Sequence, residues 1–343
     1  MSPSSQRPIA YWLFACCFMV LATLLVGGVT RLTHSGLSIV EWQPLLGAIP
    51  PLSESDWLAV FAKYQLSPEY QKVNLQMTLE GFRFIFWWEW VHRLLGRTIG
   101  VVFFVPFLWF GLRGNLDRSL WPKLLGFFVL GGLQGAMGWY MVKSGLVDDP
   151  HVSQFRLAAH LGLAFLIFGL MLWTALGLLQ ARTRAIAGTA LRRLQIVGAV
   201  LTAAIFVMVL SGALVAGTHA GLIFNTFPLM EGHVVPPGWL ALEPTWINFF
   251  ENQITVQFDH RVFAWLLSFA IPVYCRFVFR SVPWARSATW AVIAMLVVQL
   301  SLGIATLLNA VPVALGAAHQ IGAMILFALL IRLNHVIRAA QPG

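Results

Sequence analysis

Charged residues are scarce in this chain. Of its 343 residues only 10% are Asp, Glu, Lys or Arg, while 59% are hydrophobic, and the mean hydropathy is +0.77. That balance points to a polytopic helical membrane protein, because each spanning helix needs roughly 20 apolar residues. It argues against a membrane β-barrel, whose strands lack such long apolar runs. Acids are scarcer than bases, 13 against 22, for a net charge of +9. In a soluble chain that excess would suggest nucleic acid. Here the bases lie between apolar runs and read as topology signals, so no nucleic-acid partner is expected. Cysteine is scarce too. Cys16, Cys17 and Cys275 all fall inside apolar runs, so neither a loop disulfide nor a zinc cluster is expected and the three read as inert helix residues. No strand precedes the glycine-rich stretches 131–138 and 212–221, which therefore read as close helix packing and not as phosphate loops. Met1 to Ile9 is too short for a transit peptide, and the apolar run that follows is long enough to span.

Eight spans are expected, at about 10–30, 84–110, 121–141, 156–180, 192–215, 256–280, 286–307 and 312–335. Arg113, Arg118, Lys123, Arg182, Arg184, Arg192, Arg193, Arg276, Arg280, Arg286, Arg332 and Arg338 share one face with Arg7 and a single acid, Asp117. The other face holds most of the acids, among them Glu41, Glu54, Asp56, Glu69, Asp148, Asp149, Glu231, Glu243 and Glu251. The positive-inside rule then places both termini in the cytoplasm. Two outer segments, 31–83 and 216–255, are long and rich in Pro and Trp, with amphipathic pieces such as Asp56–Tyr64. They are expected to form short helices covering the outer ends of the spans.

The two halves of the chain match. The run Gly28–Leu37 resembles Ala213–Leu222, with Pro44 and Pro228 following. His92-Arg93 matches His260-Arg261, Gln134 and Gly138 match Gln299 and Gly303, and Ala158–Gly162 matches Ala317–Gly322. Four landmarks recurring in one order indicate tandem duplication of a four-span unit, related by an axis along the membrane normal. The expected architecture is all-α, with eight transmembrane helices in two tandem pseudo-symmetric four-helix bundles, 1–185 and 186–343.

Four of the nine histidines, His92, His160, His260 and His319, lie at matching places within spans, two to seven or so residues in from the outer ends. Two imidazoles on facing helices of a bundle make an axial pair for a haem iron, one pair per half. No carboxylate or thiol cluster accompanies them, as zinc or copper would require. His34 and His219 are also repeat-related and read either as rim residues of each pocket or as interfacial polar residues. His151, His233 and His335 read as ordinary loop or end residues. Arg93 and Arg261 fit haem propionates or ion pairs with Asp259 or Glu80, and both readings stay open. Glu89 stands one turn before His92. There it reads either as a group placed to move a proton or to stabilise a cation forming on a substrate, or as a helix-start acid or a partner for Arg93. The matching position holds Gln257, so a haem-holding frame needs no acid there, and the acid is special to the first half.

With Glu89–Arg93, Ala158–His160, Phe258–Arg261 and Ala317–His319 in place, the whole chain resembles the haem A synthase family, membrane enzymes of cytochrome oxidase assembly. That resemblance implies oxidation of a ring methyl of haem O to a formyl group through successive hydroxylations. It implies a haem b cofactor on His260 and His319 in the C-terminal half. Substrate haem O would face His92 and His160, with Glu89 as the essential acid. It also implies a bacterial inner membrane location with haem sites toward the periplasm, and haem O synthase and an electron donor as partners beside membrane lipid. Without cysteine pairs in its outer loops, the chain is similar to the proteobacterial and mitochondrial type. Rival readings are a di-haem b-type electron carrier and a repeat-built transporter; the latter would want midplane charges and broken helices. GxxxG-like spacings fit tight helix contact, within one chain or in a homo-oligomer.

Overall fold

The computed structural model describes residues 3–43, 46–147, 150–179 and 188–338. Pro44, Asp148, Asp149, Arg182, Arg184 and the boundary expected at 185/186 lie outside them. In chain order the α-helices are α1 (Pro3–Leu32), α2 (Glu54–Gln65), α3 (Pro68–Lys72), α4 (Leu79–Leu112), α5 (Trp121–Gly145), α6 (Gln154–Leu179), α7 (Thr189–Gly217), α8 (Asn248–Glu251), α9 (Gln253–Ser281), α10 (Arg286–Leu308) and α11 (Val313–Arg338). Among the described residues eight helices are long and apolar enough to cross a membrane. The protein is an all-α, multi-pass membrane protein.

Each expected span is present, most of them longer by a few residues. The extra turns begin at polar caps. Thr78 accepts the Gly81 N–H ahead of α4, and Asn252 accepts those of Ile254 and Thr255 ahead of α9, satisfying donors that a helix start leaves free. Ser53 and Asp56 close a capping box on α2. The amphipathic piece expected around Asp56–Tyr64 is this helix.

Helix neighbours repeat between the halves. α1 packs on α4 and α6, and α5 joins α4 to α6, so α4 and α6 face each other diagonally. α7 packs on α9 and α11, and α10 joins α9 to α11, so α9 and α11 are likewise diagonal. The halves meet through α1 with α11, α6 with α7, and α6 with α11. The Arg31 guanidinium also reaches across to donate to the Ala216 carbonyl. One apolar core runs through all eight long helices.

A second apolar cluster lies in the outer cap. Trp57 and Tyr64 of α2 pack on Phe82, Ile85 and Phe86 of α4, with Ile39 and Val40 alongside. Tyr64 stacks on Phe82 at 5.1 Å and Trp57 meets Phe86 at 5.0 Å. The first turns of α4 thus belong to the cap. Helix α4 therefore starts ahead of the span expected at 84–110, and His92 lies thirteen residues after the helix start at Leu79. The glycine reading needs correction. A Cβ on Gly131, Gly132 or Gly135 would meet nothing within 4 Å, whereas one on Gly217 would meet Gln154 Cα at 2.5 Å. α5 touches only α4 and α6 closely; Gly131, Gly132 and Gly135 face outward, and Gly138 alone of that stretch faces a neighbour, the His160 ring. The run at 212–221 does sit at a helix junction.

Glu69 is buried in the cap, 6% exposed. Its carboxylate accepts from Tyr64 Oη at 3.2 Å, and Tyr64 Oη accepts from Asn74 Nδ2 at 2.8 Å. Burial pushes the carboxyl up to about 7; the Tyr64 hydroxyl opposes this in part, and the Glu89 carboxylate adds to it. A carboxyl raised in the folded state stabilises below its unfolded range, and that contribution is lost as pH rises through the folded value. The melting temperature in detergent should therefore fall between pH 5 and 8 by more in the wild type than in Glu69→Gln. Parallel pH profiles would contradict the assignment.

Candidate functional site

The diagonal helices bring the four intramembrane histidines together in pairs. His92 on α4 and His160 on α6 are close enough to interact electrostatically, as are His260 on α9 and His319 on α11. Each ring lies against a glycine of a neighbouring helix. A Cβ on Gly27 would meet His92 Nε2 at 2.8 Å, and one on Gly138 would meet His160 Cε1 at 3.2 Å. In the second half the equivalents are Gly212 against His260 Cε1 at 3.3 Å and Gly303 against His319 Cε1 at 2.8 Å. Any larger residue there would push the imidazole aside. Between Glu89 and Phe103 no residue of α4 is fully buried, and the same holds of α9 between Gln257 and Leu267.

These features fit a haem on two axial histidines in each half. The imidazoles sit on facing helices with glycine walls beside them. Gln134 Oε1, Gln299 Oε1 and His160 Nδ1 are buried with no hydrogen-bond partner, next to where a ligating ring nitrogen needs one. Among the described residues no group of three or more His, Cys, Asp or Glu is placed to hold a bare metal ion.

Glu89 is 2% exposed. Its Oε2 accepts from Ser38 Oγ at 2.6 Å and Ile39 N at 2.7 Å, and Oε1 accepts from Arg93 at 2.5 Å. Arg93 also donates to the carbonyls of Ile39 at 2.8 Å and Glu41 at 3.2 Å. The second half repeats the clamp. Arg261 donates to Phe224 O at 2.7 Å, Thr226 O at 2.8 Å and Gln257 Oε1 at 3.2 Å. Each arginine thus ties an outer loop to its helix. Arg93 pairs with Glu89 instead of Glu80, and Arg261 with Gln257 instead of Asp259. The loop chemistry matches the acid-amide difference. The first loop turns donors toward Glu89, and the second turns the Ala220 and Phe224 carbonyls toward Gln257 Nε2 at 2.8 and 3.3 Å. Glu89 is therefore held in one orientation by Ser38, the Ile39 N–H and the Arg93 guanidinium.

His34 and His219 meet each other, ring centroids 6.4 Å apart and stacked, each in a left-handed turn with φ near 51° and 57°. His151, read as an ordinary loop residue, stands edge-on to His219 at 6.4 Å. Burial, then Arg31, His34 and His151, draw the His219 imidazole down. His335, read as an end residue, is buried against Trp173 at 5.0 Å. A cavity of about 240 Å³ opens at the outer end of the first pair, lined by Trp42, Arg93, Trp139, Lys143 and the loop at Ile39 and Val40. Lys143 was not singled out in the sequence, for it has no repeat partner there.

Fold and site define a class: multi-pass membrane proteins with histidines paired across facing helices. The chain belongs to the COX15-CtaA family of cytochrome oxidase assembly proteins, whose model it matches over residues 10–331. A protein of Nitrosospira multiformis named "Heme A synthase" is 56% identical over 97% of this chain and 94% of its own length. Proteins of the same name from Nitrosomonas eutropha and Parvibaculum lavamentivorans are 53% and 48% identical, over 94% and 98% of this chain and 92% and 96% of their own.

Proposed function

We propose that this chain is a haem A synthase, an oxidoreductase that turns the ring methyl of haem O into a formyl group. Its name-bearing relatives span nearly its whole length, and its site is asymmetric where the chemistry requires it. The observation that carries the reading is one acid in a frame built twice: Glu89 and Gln257 take the same place in matching arginine clamps.

The repeated helix neighbours support two four-helix bundles, 1–185 and 186–343. Haem O is placed between His92 and His160, where the cavity lined by Arg93 and Lys143 offers cations for its propionates. Haem b on His260 and His319 supplies one-electron redox chemistry when bound. In each successive hydroxylation one oxygen atom of O2 enters a methyl C–H bond and the other leaves as water, using electrons from a donor and protons. The twice-hydroxylated carbon then loses water to give the formyl group, so the site must deliver electrons and protons and stabilise positive charge developing at that carbon. Glu89 provides the charge, held in place by Ser38, Ile39 and Arg93. His34 and His219 shape the rim between the halves. The distribution of bases supports cytoplasmic termini in a bacterial inner membrane, with the sites toward the periplasm. Haem O synthase and an electron donor are the fitting partners.

The equal histidine pairs favour one second reading, a di-haem b-type electron carrier. The test is to supply purified protein with haem O and analyse the extracted haems. A synthase yields haem A; a carrier returns haem O unchanged.

A further inference from the structure

The two halves hold their histidines by different ring atoms. In the second half His260 Nδ1 lies 3.1 Å from Ser211 Oγ. His319 Nδ1 lies 3.2 Å from Gln299 Nε2, which also donates to the His319 carbonyl at 3.0 Å. Both tethers take Nδ1 and leave Nε2 clear. In the first half the repeat-related amide takes the other nitrogen. Gln134 Nε2 lies 3.3 Å from His160 Nε2 and donates to the His160 carbonyl at 3.1 Å, while His160 Nδ1 is buried with no partner. The position corresponding to Ser211 is Val26, since Gly27 seats His92 as Gly212 seats His260. Valine has no hydroxyl to offer, and among the described residues no hydrogen bond tethers the His92 ring.

An imidazole that ligates through Nε2 needs an acceptor for its Nδ1–H. That acceptor fixes the ring and raises its basicity, and losing it typically weakens metal binding roughly 10- to 100-fold. Ser211 Oγ is such an acceptor. Gln299 Oε1, buried without a partner, becomes one when the amide turns end for end. In the first half, ligation must first break the contact between Gln134 and His160 Nε2, and His92 gains nothing from Val26.

We propose that these contacts set how long each half keeps its haem: Ser211 and Gln299 make the C-terminal site retentive, and Gln134 and Val26 make the N-terminal site one that releases. This makes Ser211 and Gln134 positioning residues. It rests on the reading of two haem sites given above, and it supplies a physical cause for their different fates. A cofactor must survive turnover, whereas a substrate site must empty.

The test uses full-length protein purified with its haem in detergent. Haem loss is timed by transfer to excess apomyoglobin, and the midpoint potential of the retained haem is measured. Ser211→Ala should speed loss of the retained haem roughly 10- to 100-fold and raise its potential. Ser211→Thr, which keeps the hydroxyl, should restore both. Gln134→Leu, loaded with iron protoporphyrin IX at the N-terminal site, should release that haem about tenfold more slowly than the wild type. If the wild type carries no haem, the functional reading above fails. If the wild type carries haem and Ser211→Ala matches it in rate and potential, this assignment alone is overturned; an unchanged release rate in Gln134→Leu likewise contradicts the role of Gln134. Should Ser211→Ala fail to assemble, Ser211→Thr against Ser211→Cys gives the same contrast between a strong and a weak acceptor.

Discussion

Glu89→Gln should lower haem A formation by at least about a hundredfold while the absorbance of the retained haem stays as in the wild type. The expected loss is chemical, because the fold already contains the product of this substitution. Gln257 occupies the matching place, and Arg261 remains clamped to the Phe224 and Thr226 carbonyls beside it. In the variant, Oε1 of the new amide accepts from Ser38 and Ile39, and Arg93 keeps the Ile39 and Glu41 carbonyls. The cost is the charge partner of Arg93 and an amide N–H turned toward a guanidinium, about 1–3 kcal/mol, which an eight-span core absorbs. Haem extraction and an optical spectrum on the same sample separate the two effects. A normal yield of haem A from this variant would remove Glu89 from the reaction.

His260→Ala should remove most of the retained haem and with it most of the Soret absorbance, whereas His92→Ala should leave that haem in place. The two residues are matched in helix, glycine seat and neighbouring arginine, so a general disturbance of packing would affect both variants alike. Only a division of roles between the halves produces opposite spectra. Added imidazole should restore part of the absorbance in His260→Ala, because the space left beside Gly212 is that of the deleted ring. Equal loss of haem in both variants would refute the division.

Much of this was legible in the sequence. The apolar spans depend on composition and order, and all eight are found where they were expected; the tandem repeat, the four histidines and the Glu89–Gln257 difference are likewise features of residue order. What stayed hidden depends on which surface an apolar or small residue meets. Phe82, Ile85 and Phe86 are as apolar as the rest of the run they begin, yet they pack on Trp57 and Tyr64 of the cap. That is why α4 starts early and His92 lies further along it. Gly131, Gly132 and Gly135 have the spacing of a helix junction but face open space, since spacing alone does not say which side carries the neighbour. The clamps of Arg93 and Arg261 close on loop carbonyls 54 and 37 residues away, beyond the reach of any local pattern. The meeting of His34, His219 and His151 requires the two halves to be docked. By contrast, Gln134 and Gln299 were visible as repeat landmarks; only their contact with the histidines gave them a role.

The most direct test is conversion itself. Purified full-length protein, carrying its retained haem, is given haem O with a reductant and air, and the haems are then extracted and separated. The account predicts that haem A accumulates over many turnovers with the wild type. Recovery of haem O unchanged, from protein whose spectrum shows its retained haem intact, would contradict it.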